Sequence, residues 1–493
     1  MTTVTVSLAP GVRVLTGAPA AEAGTLVPLR TTSTSGGYDL GGYPPPLADW
    51  VSGLNGDGID VETLTDDLPL ALWPHAYALL ERLNGVGALA SRITRSVDVA
   101  EIGAITTSAD STATASLTTA AVSTTPAAAP ADARSVTIAP DRFATRPSWR
   151  PADFAAGDLA PSTRLLLHLV DGRWVAEHPG GGVQVKFHDA ADVRVLTDCA
   201  TLSAGELDDF QAAVLAALID NTLVVLATAT VVDDSGDFWE FHDYFFHLRS
   251  RPGRHLGRSG GSYRFLGQAE PPPVVKPPMS SERIPLVEGE PLLMPYSDVR
   301  VRRRSIRDSA APLTSRQLGE FLGHVARLRD YATSSHDQVS RRFYPGGGAR
   351  YELEIYPLVH DVDGLTPGAY HYDPADHVLE HLSDDTPAVR ASLAFAGRVA
   401  TRQSPPPVLL VVTARFGRVA WKYESIAYSL VLKHVGVLYA VMYDAATAMG
   451  LSPCALGAGN IDYYAAATHT DPLAEPAVGE FILGGPPDPR PAG

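Results

Sequence analysis

The densest run of cationic side chains in the sequence is Arg300, Arg302, Arg303, Arg304 and Arg307, with Ser305 among them, just ahead of a helix expected from about Thr314. Guanidinium forks beside a hydroxyl donor are what a phosphate group needs. A solvated basic loop reads the same way in isolation. Pro345-Gly346-Gly347-Gly348 precedes an expected strand, and either turns the chain or lets backbone amides approach a ligand without side-chain obstruction. Gly457-Ala458-Gly459 lacks the full Gly-x-Gly-x-x-Gly spacing, so no Rossmann site is read there. Lys422-Tyr423 is a polar pair between an apolar strand and an apolar helix, and either side chain, once deprotonated, accepts a proton. In extended backbone the two would point to opposite faces, so joint action requires a loop or a helix start.

Three other patterns lead elsewhere. Gly257-Arg258-Ser259-Gly260-Gly261 matches Gly-x-Ser-x-Gly, yet no buried strand leads into it as a nucleophile elbow requires. His242 and His247 flank a Phe-rich segment, read as a strand, at a separation that makes no neat metal pair, and no metal site is expected. Cys199 beside Asp198 reads as a small buried residue, not a nucleophile.

These residues must be held by elements of a chain of 493 residues, long enough for two or three cores. Apolar residues are 45% and charged residues 19%, which supports packed domains over most of the length. A net charge of −16 repels polyanions, so nucleic acid is not an expected partner. With only Cys199 and Cys454 there is no disulfide framework or zinc spacing, and a reducing cytoplasm fits. The first fifteen residues lack a signal-peptide pattern, and the apolar stretch 212–232 is broken by Asp220 and Asn221, so a soluble protein off the membrane is expected.

The pattern divides the chain into residues 1–104, a small α+β unit with a helical pattern at Leu68 to Leu89; a Thr/Ala/Ser/Pro-rich linker at 105–134; a second unit at 135–267; a Pro-rich boundary at 268–282; and a C-terminal domain at 283–493. In the second unit, a helix over Glu206 to Ile219 followed by a β-rich run suggests helix, turn and wing. In the C-terminal domain a helix over Leu318 to Leu328, an alternating strand over Tyr351 to Val359, a buried strand over Val408 to Thr413 and a long helix over about Ile426 to Met449 are expected. The last is apolar nearly all round, hence buried or at a subunit contact.

Read in order, Trp239-Glu240-Phe241-His242-Asp243, His247-Leu248-Arg249-Ser250-Arg251, Arg303-Arg304-Ser305-Ile306-Arg307, Tyr344-Pro345-Gly346-Gly347-Gly348, Gly368-Ala369-Tyr370-His371-Tyr372 and Trp421-Lys422-Tyr423 resemble the SagB-type dehydrogenases, the azoline-oxidising branch of the nitroreductase superfamily. The resemblance covers about residues 235 to 485. It implies an α+β fold: a C-terminal nitroreductase-like flavin domain, dimeric, with FMN at the subunit interface, preceded by one or two winged-helix-like elements that recognise a leader peptide. It implies that Lys422 and Tyr423 are catalytic and that Arg303, Arg304, Ser305, Arg307, Arg342, Pro345, Gly346, Gly347, Gly348, Gly457 and Gly459 hold FMN. Two departures stand out, Gly346 where relatives often carry Ser, and Gly436-Val437 where Gly-His is usual early in the long helix.

The reaction so implied removes two electrons from thiazoline or oxazoline rings of a ribosomally made precursor peptide. The cofactor carries the redox chemistry while the protein orients and moves the proton. A cyclodehydratase that makes the rings is the expected further partner. Two alternatives belong to other classes: a generic FMN reductase of nitro or quinone compounds using NAD(P)H, and a flavin-free peptide-binding scaffold.

Overall fold

The computed structural model separates into two units, Met1–Ser259 and Gly260–Gly493. It describes residues 2–8, 13–16, 27–33, 36–55, 59–60, 68–69, 72, 75–76, 78–80, 83, 89–95, 134–139, 154–178, 183–202, 206–227, 238–251, 260–333 and 336–488. Nearly all of the expected linker at 105–134, and Gly257 to Ser259 of the Gly-x-Ser-x-Gly match, lie outside the described residues.

The first unit is built on a seven-stranded antiparallel sheet of β1 (Thr2–Leu8), β2 (Ile59–Asp60), β3 (Leu89–Arg95), β4 (Arg134–Ala139), β5 (Leu166–Val170), β6 (Arg173–His178) and β7 (Val183–Phe187) in the order β2-β1-β3-β4-β7-β6-β5. Both segments ahead of the flavin-domain resemblance contribute to this one sheet, because β3 pairs with β4 from Arg95↔Arg134 to Ser91↔Ile138. Val183, Val185 and Phe187 alternate inward, as period 2 requires, against α1 (Asp209–Asp220). Asp208 and Gln211 form a capping box that starts α1, which buries Phe210, Val214, Leu215 and Leu218. The strand after it, Val224–Leu226, pairs with Leu159–Pro161, so the helix-then-strand order is present.

One expectation fails here. The Phe-rich segment between His242 and His247 is not a strand but a helix, α2 (Phe241–Arg249), with Phe241 stacked on Phe245 one turn on and Trp239 against His247. Aromatics four apart share a helix face, and that spacing is the signal to weigh over β propensity.

The second unit carries β8 (Gly260–Gly261), β9 (Arg283–Pro285), α3 (Tyr296–Arg302), α4 (Ser315–Ala326), β10 (Leu353–Val359), β11 (Gly368–Asp373), β12 (Val378–Asp384), α5 (Pro387–Val399), β13 (Val408–Ala414), α6 (Phe416–Ala420), β14 (Tyr423–Glu424), α7 (Ala427–Ala448), β15 (Ser452–Leu456), α8 (Ile461–Thr468) and β16 (Ala477–Gly484). Its main sheet runs β9-β12-β11-β10-β13-β16-β15, antiparallel throughout. The run VLLVVTA of β13 is buried at every position because both faces are covered. Val408, Leu410 and Val412 meet α4 and α7, while Leu409 and Val411 meet α5 and α8. Truncating a residue such as Leu410 to Ala would cost about 2–5 kcal/mol.

The expected helices and strands fall close to their sites: α4 starts at a Thr314/Gln317 capping box, and α7 spans most of the expected long helix. The alternation over Tyr351 to Val359 has a different meaning from a half-solvated strand. Glu352 and Glu354 are 0% and 1% exposed, each held by a histidine. The Pro-rich segment packs within this unit, not outside it. Arg415 donates to the carbonyls of Pro273 and Val274, Arg418 to that of Pro272, and Trp421 Nε1 to that of Ala269.

Candidate functional site

Lys422 ends the turn after α6, and Tyr423 opens the two-residue β14, which pairs with β8 through Gly261↔Tyr423. This break between helix and strand lets neighbouring side chains act together. Lys422 Nζ lies 5.4 Å from the centre of the Tyr423 ring and 5.5 Å from that of Tyr263. Two phenol faces thus flank one ammonium, a cation–π arrangement. Tyr263 is fixed by its N–H to the Lys422 carbonyl at 3.2 Å and by an edge contact with Trp421.

The glycine loop comes to the same place. A Cβ on Gly348 would collide with the Tyr423 hydroxyl and lie 3.1 Å from Lys422 Nζ, so backbone, hydroxyl and amine share one small space. Gly347 is tied down from behind: its N–H donates to His434 Nε2 at 2.7 Å, and His434 Nδ1 lies 2.6 Å from Glu352 Oε1. Gly346 sits against the Tyr351 ring. Positive φ values gather around this point, at Tyr263 (51°), Gly348 (62°), Ala349 (55°), Tyr351 (44°) and Ser425 (65°). Such backbone costs about 1–3 kcal/mol per non-glycine residue, and it concentrates where a site over-determines its geometry.

The arginine-serine run lies at a second place in the same unit. Ser305 Oγ is 2.7 Å from the Tyr443 hydroxyl, Arg303 stacks 5.3 Å over the Tyr443 ring, and Ile306 N–H donates to the Pro453 carbonyl. Arg303, Arg304 and Arg307 are exposed, and among the described residues no carboxylate pairs with them. Burial pushes the nearby Cys454 thiol up, against the opposing pull of Arg307 and Ser305.

Arg342 occupies a third place: its side chain is buried, Nη1 donates to the Leu353 carbonyl at 3.0 Å, and its Nε makes no hydrogen bond among the described residues. Gly457 and Gly459 follow β15, with Gly459 pressed against the Glu480 carboxyl, which burial pushes up to about 7. Pro345 is exposed at the head of the glycine loop. His242, one of the residues set aside for metal, lies beside Glu240 and Asp243 at the surface.

Lys422, Tyr423 and the 346–348 glycines are therefore brought together, while the arginine run meets α7 at Tyr443, Arg342 is buried beside Leu353 and Glu354, and Gly459 lies against Glu480. Tyr263, His434 and Glu352 escape a reading of the sequence. His434 alone left a trace, as a polar residue on a helix otherwise apolar nearly all round.

The second unit is a three-layered α+β domain, with helices on both faces of its sheet. The nitroreductase family model matches residues 301–484. A Methanocaldococcus jannaschii protein named as a nitroreductase, MJ1384, is 32% identical over 162 residues, covering 33% of this chain and 77% of that one. The chain belongs to the nitroreductase family.

Two further relatives are named as processing proteins. The trifolitoxin-processing protein TfxB of Rhizobium leguminosarum bv. trifolii is 29% identical over 171 residues, 32% of this chain and 46% of its own length. The microcin B17-processing protein McbC of Escherichia coli is 31% identical over 150 residues, 29% of this chain and 54% of its own length. The chain thus spans about half the length of those two relatives.

Proposed function

We propose that this protein is an FMN-dependent dehydrogenase that oxidises thiazoline or oxazoline rings in a ribosomally made precursor peptide. The observation that carries the reading is the convergence of Lys422, Tyr423 and the Gly348 backbone on one point. The processing relatives TfxB and McbC favour a peptide substrate over a small nitro compound.

The residues fit FMN by their donor chemistry. Arg303, Arg304 and Arg307, which meet no carboxylate among the described residues, suit a phosphate dianion together with Ser305, and the side-chain-free surface at Gly346 to Gly348 suits a flat ring system. Bound FMN would supply the acceptor for the hydride that leaves the ring Cβ. The chain supplies the rest: Tyr423, as phenolate with Lys422 stabilising its charge, or Lys422 itself, takes the proton from the ring Cα, and loss of both hydrogens leaves an aromatic azole. Tyr263 orients Lys422, and the 346–348 loop limits where the ring can sit.

The geometry of α7 favours a homodimer. His434, behind the glycine loop, and Tyr443, beside the arginine run, are nine residues apart, about 13 Å along the axis and about 180° around it. The phosphate and ring subsites thus face opposite sides of one helix, and a second copy brings complementary halves together. On the Tyr443 side of α7, Tyr428 and Leu432 are 42% and 41% exposed, and a Cβ on Gly436 would meet nothing. That apolar stripe at i, i+4 spacing suits helix-to-helix contact.

In the proposed assembly the first unit recognises the leader segment of the precursor. Among the described residues β5 ends the sheet order, paired along one edge only and with Leu169 58% exposed, a template on which an extended peptide adds a strand. A cyclodehydratase that makes the azolines acts beforehand in the same cytoplasm, where Cys199 and Cys454, both free and buried, stay reduced. Among the described residues no helix is long and apolar enough to cross a membrane.

The test is to purify the chain, release and weigh its chromophore, then offer a leader-bearing azoline peptide under air and follow the loss of two hydrogens per ring. Azole formation without NAD(P)H supports the reading. NAD(P)H consumption with nitro or quinone acceptors and no azole would replace it with the reductase, and failure to take up FMN would leave a scaffold.

A further inference from the structure

We propose that His434, with its tautomer fixed by Glu352, is a positioning residue for the dehydrogenation, holding the Gly347-Gly348 backbone against the Tyr423 hydroxyl and the Lys422 amine; this rests on the reading of Lys422 and Tyr423 given above.

The hydrogen-bond directions leave one arrangement. Gly347 N–H can only donate, so His434 Nε2, 2.7 Å away, accepts and carries no proton. The proton is then on Nδ1 and points to Glu352 Oε1 at 2.6 Å. Glu352 is fully buried and its other oxygen makes no hydrogen bond among the described residues, so this carboxylate is kept out of water with the imidazole as its side-chain partner. Burying a charge in that way is costly, and a neutral apolar filler would serve packing better. What the carboxylate adds is the choice of tautomer. The opposite tautomer would aim a second N–H at Gly347 N–H and expel the loop.

Arg350 anchors the far end of the loop and Ala349 N–H donates to the Gly346 carbonyl, while His434 is the side chain bonded to Gly347 itself. Gly348 is exposed and left-handed, and the next residue, Ala349, is also at positive φ. A Cβ on Gly347 would lie 2.9 Å from His434 Nε2, so the imidazole touches the loop directly. His434 reaches this point from the buried face of α7, whose other face carries the exposed stripe. The dyad therefore transmits the position of the long helix to the wall of the Lys-Tyr site without touching substrate.

The variants are His434→Leu, which removes both hydrogen bonds, and His434→Gln, whose carboxamide can accept from Gly347 and donate to Glu352. Two readouts are taken on the full chain: amide exchange of Gly347, and steady-state oxidation of an azoline peptide with FMN loading measured separately. In His434→Leu, Gly347 exchange should rise by about tenfold or more. Its kcat should fall by about tenfold to a hundredfold, with peptide KM within about twofold and FMN retained. His434→Gln should recover both to within about threefold.

Unchanged exchange and kcat in His434→Leu would overturn the proposal, as would a Gln variant impaired as severely as the Leu one, since that pattern marks simple packing. Should His434→Leu yield no soluble protein, Glu352→Leu against Glu352→Gln makes the same comparison. If the wild-type protein oxidises no azoline, the reading of the site falls, while Gly347 exchange still decides whether the dyad holds the loop.

Discussion

Arg350 and Arg418 each donate a guanidinium Nε–H to the other's main-chain carbonyl, at 2.9 and 2.8 Å, with both side chains fully buried. Arg350 is at the end of the glycine loop and Arg418 is four residues before Lys422, so this reciprocal pair fixes the two halves of the Lys-Tyr site to each other. Arg350 is also paired with Asp337, and Arg418 reaches on to the carbonyls of Pro272 and Gln338. Replacing Arg418 by Met would leave those carbonyls unmatched. We expect a loss of roughly 3 kcal/mol, read from denaturant midpoints, with the unfolding slope unchanged.

Gly348 has no room for a side chain. Alanine there would meet the Tyr423 hydroxyl and Lys422 amine while holding a left-handed φ of 62°. The backbone term alone is about 1–2 kcal/mol, so the fold should survive. Azoline turnover should drop by about a hundredfold as the two side chains are pushed off their positions. A Gly348→Ala protein with near-normal kcat would show that the ring does not sit against this wall.

Much of this could be anticipated, and the exceptions have local causes. The β13 run and the Thr314/Gln317 cap declare themselves because each is set by neighbours within a turn or a strand. Glu352 and His434 do not, since their meaning lies in a contact 82 positions apart, and a glutamate in an alternating strand looks like a solvated position until its partner is known. Tyr263 was hidden for the same reason, lying 159 positions from Lys422 (422 minus 263). The α2 segment reads as a strand because four of its nine residues, FHDYFFHLR, are β-favouring aromatics, while the Phe241–Phe245 spacing argues for helix.

Tyr263 is expected to act through its ring face and not its hydroxyl, because the contact with Lys422 is to the ring centre at 5.5 Å. Tyr263→Phe should therefore keep kcat unchanged, whereas Tyr263→Leu loses a cation–π contact worth about 0.5–2 kcal/mol, a fall of about twofold to thirtyfold. Equal damage in both variants would move the role to the hydroxyl.

A pH effect on stability should come from the sheet interior. His371 on β11 lies between Glu354 on β10 and Glu380 on β12, with Arg342, Arg415 and Arg283 around the carboxylates. Burial works against charge on His371, but its bonds to Glu354 and Glu380 outweigh that and raise its pKa above 6.5. Burial likewise opposes ionisation of Glu354, yet the His371 bond and then Arg342 bring it from 4.5 to about 2. A raised histidine contributes fully below 6.5 and loses its contribution as pH climbs through its folded value. A depressed glutamate contributes fully above 4.5 and loses its contribution as pH falls toward about 2. The cluster should thus stabilise most between pH 4.5 and 6.5. Denaturant midpoints of wild type and His371→Gln, measured across pH 5 to 9, should converge on the alkaline side.

The pairing of β3 with β4 bears on how this protein can change over time. Arg95 and Arg134 face each other across adjacent strands, so whatever joins them departs and returns at one fixed gap of about 5 Å. Substitutions that keep the alternation of β3 and β4 leave this junction of the sheet intact, whereas inserting or deleting one residue within either strand would turn every later side chain to the opposite face, so tolerance of length change stops at these paired positions.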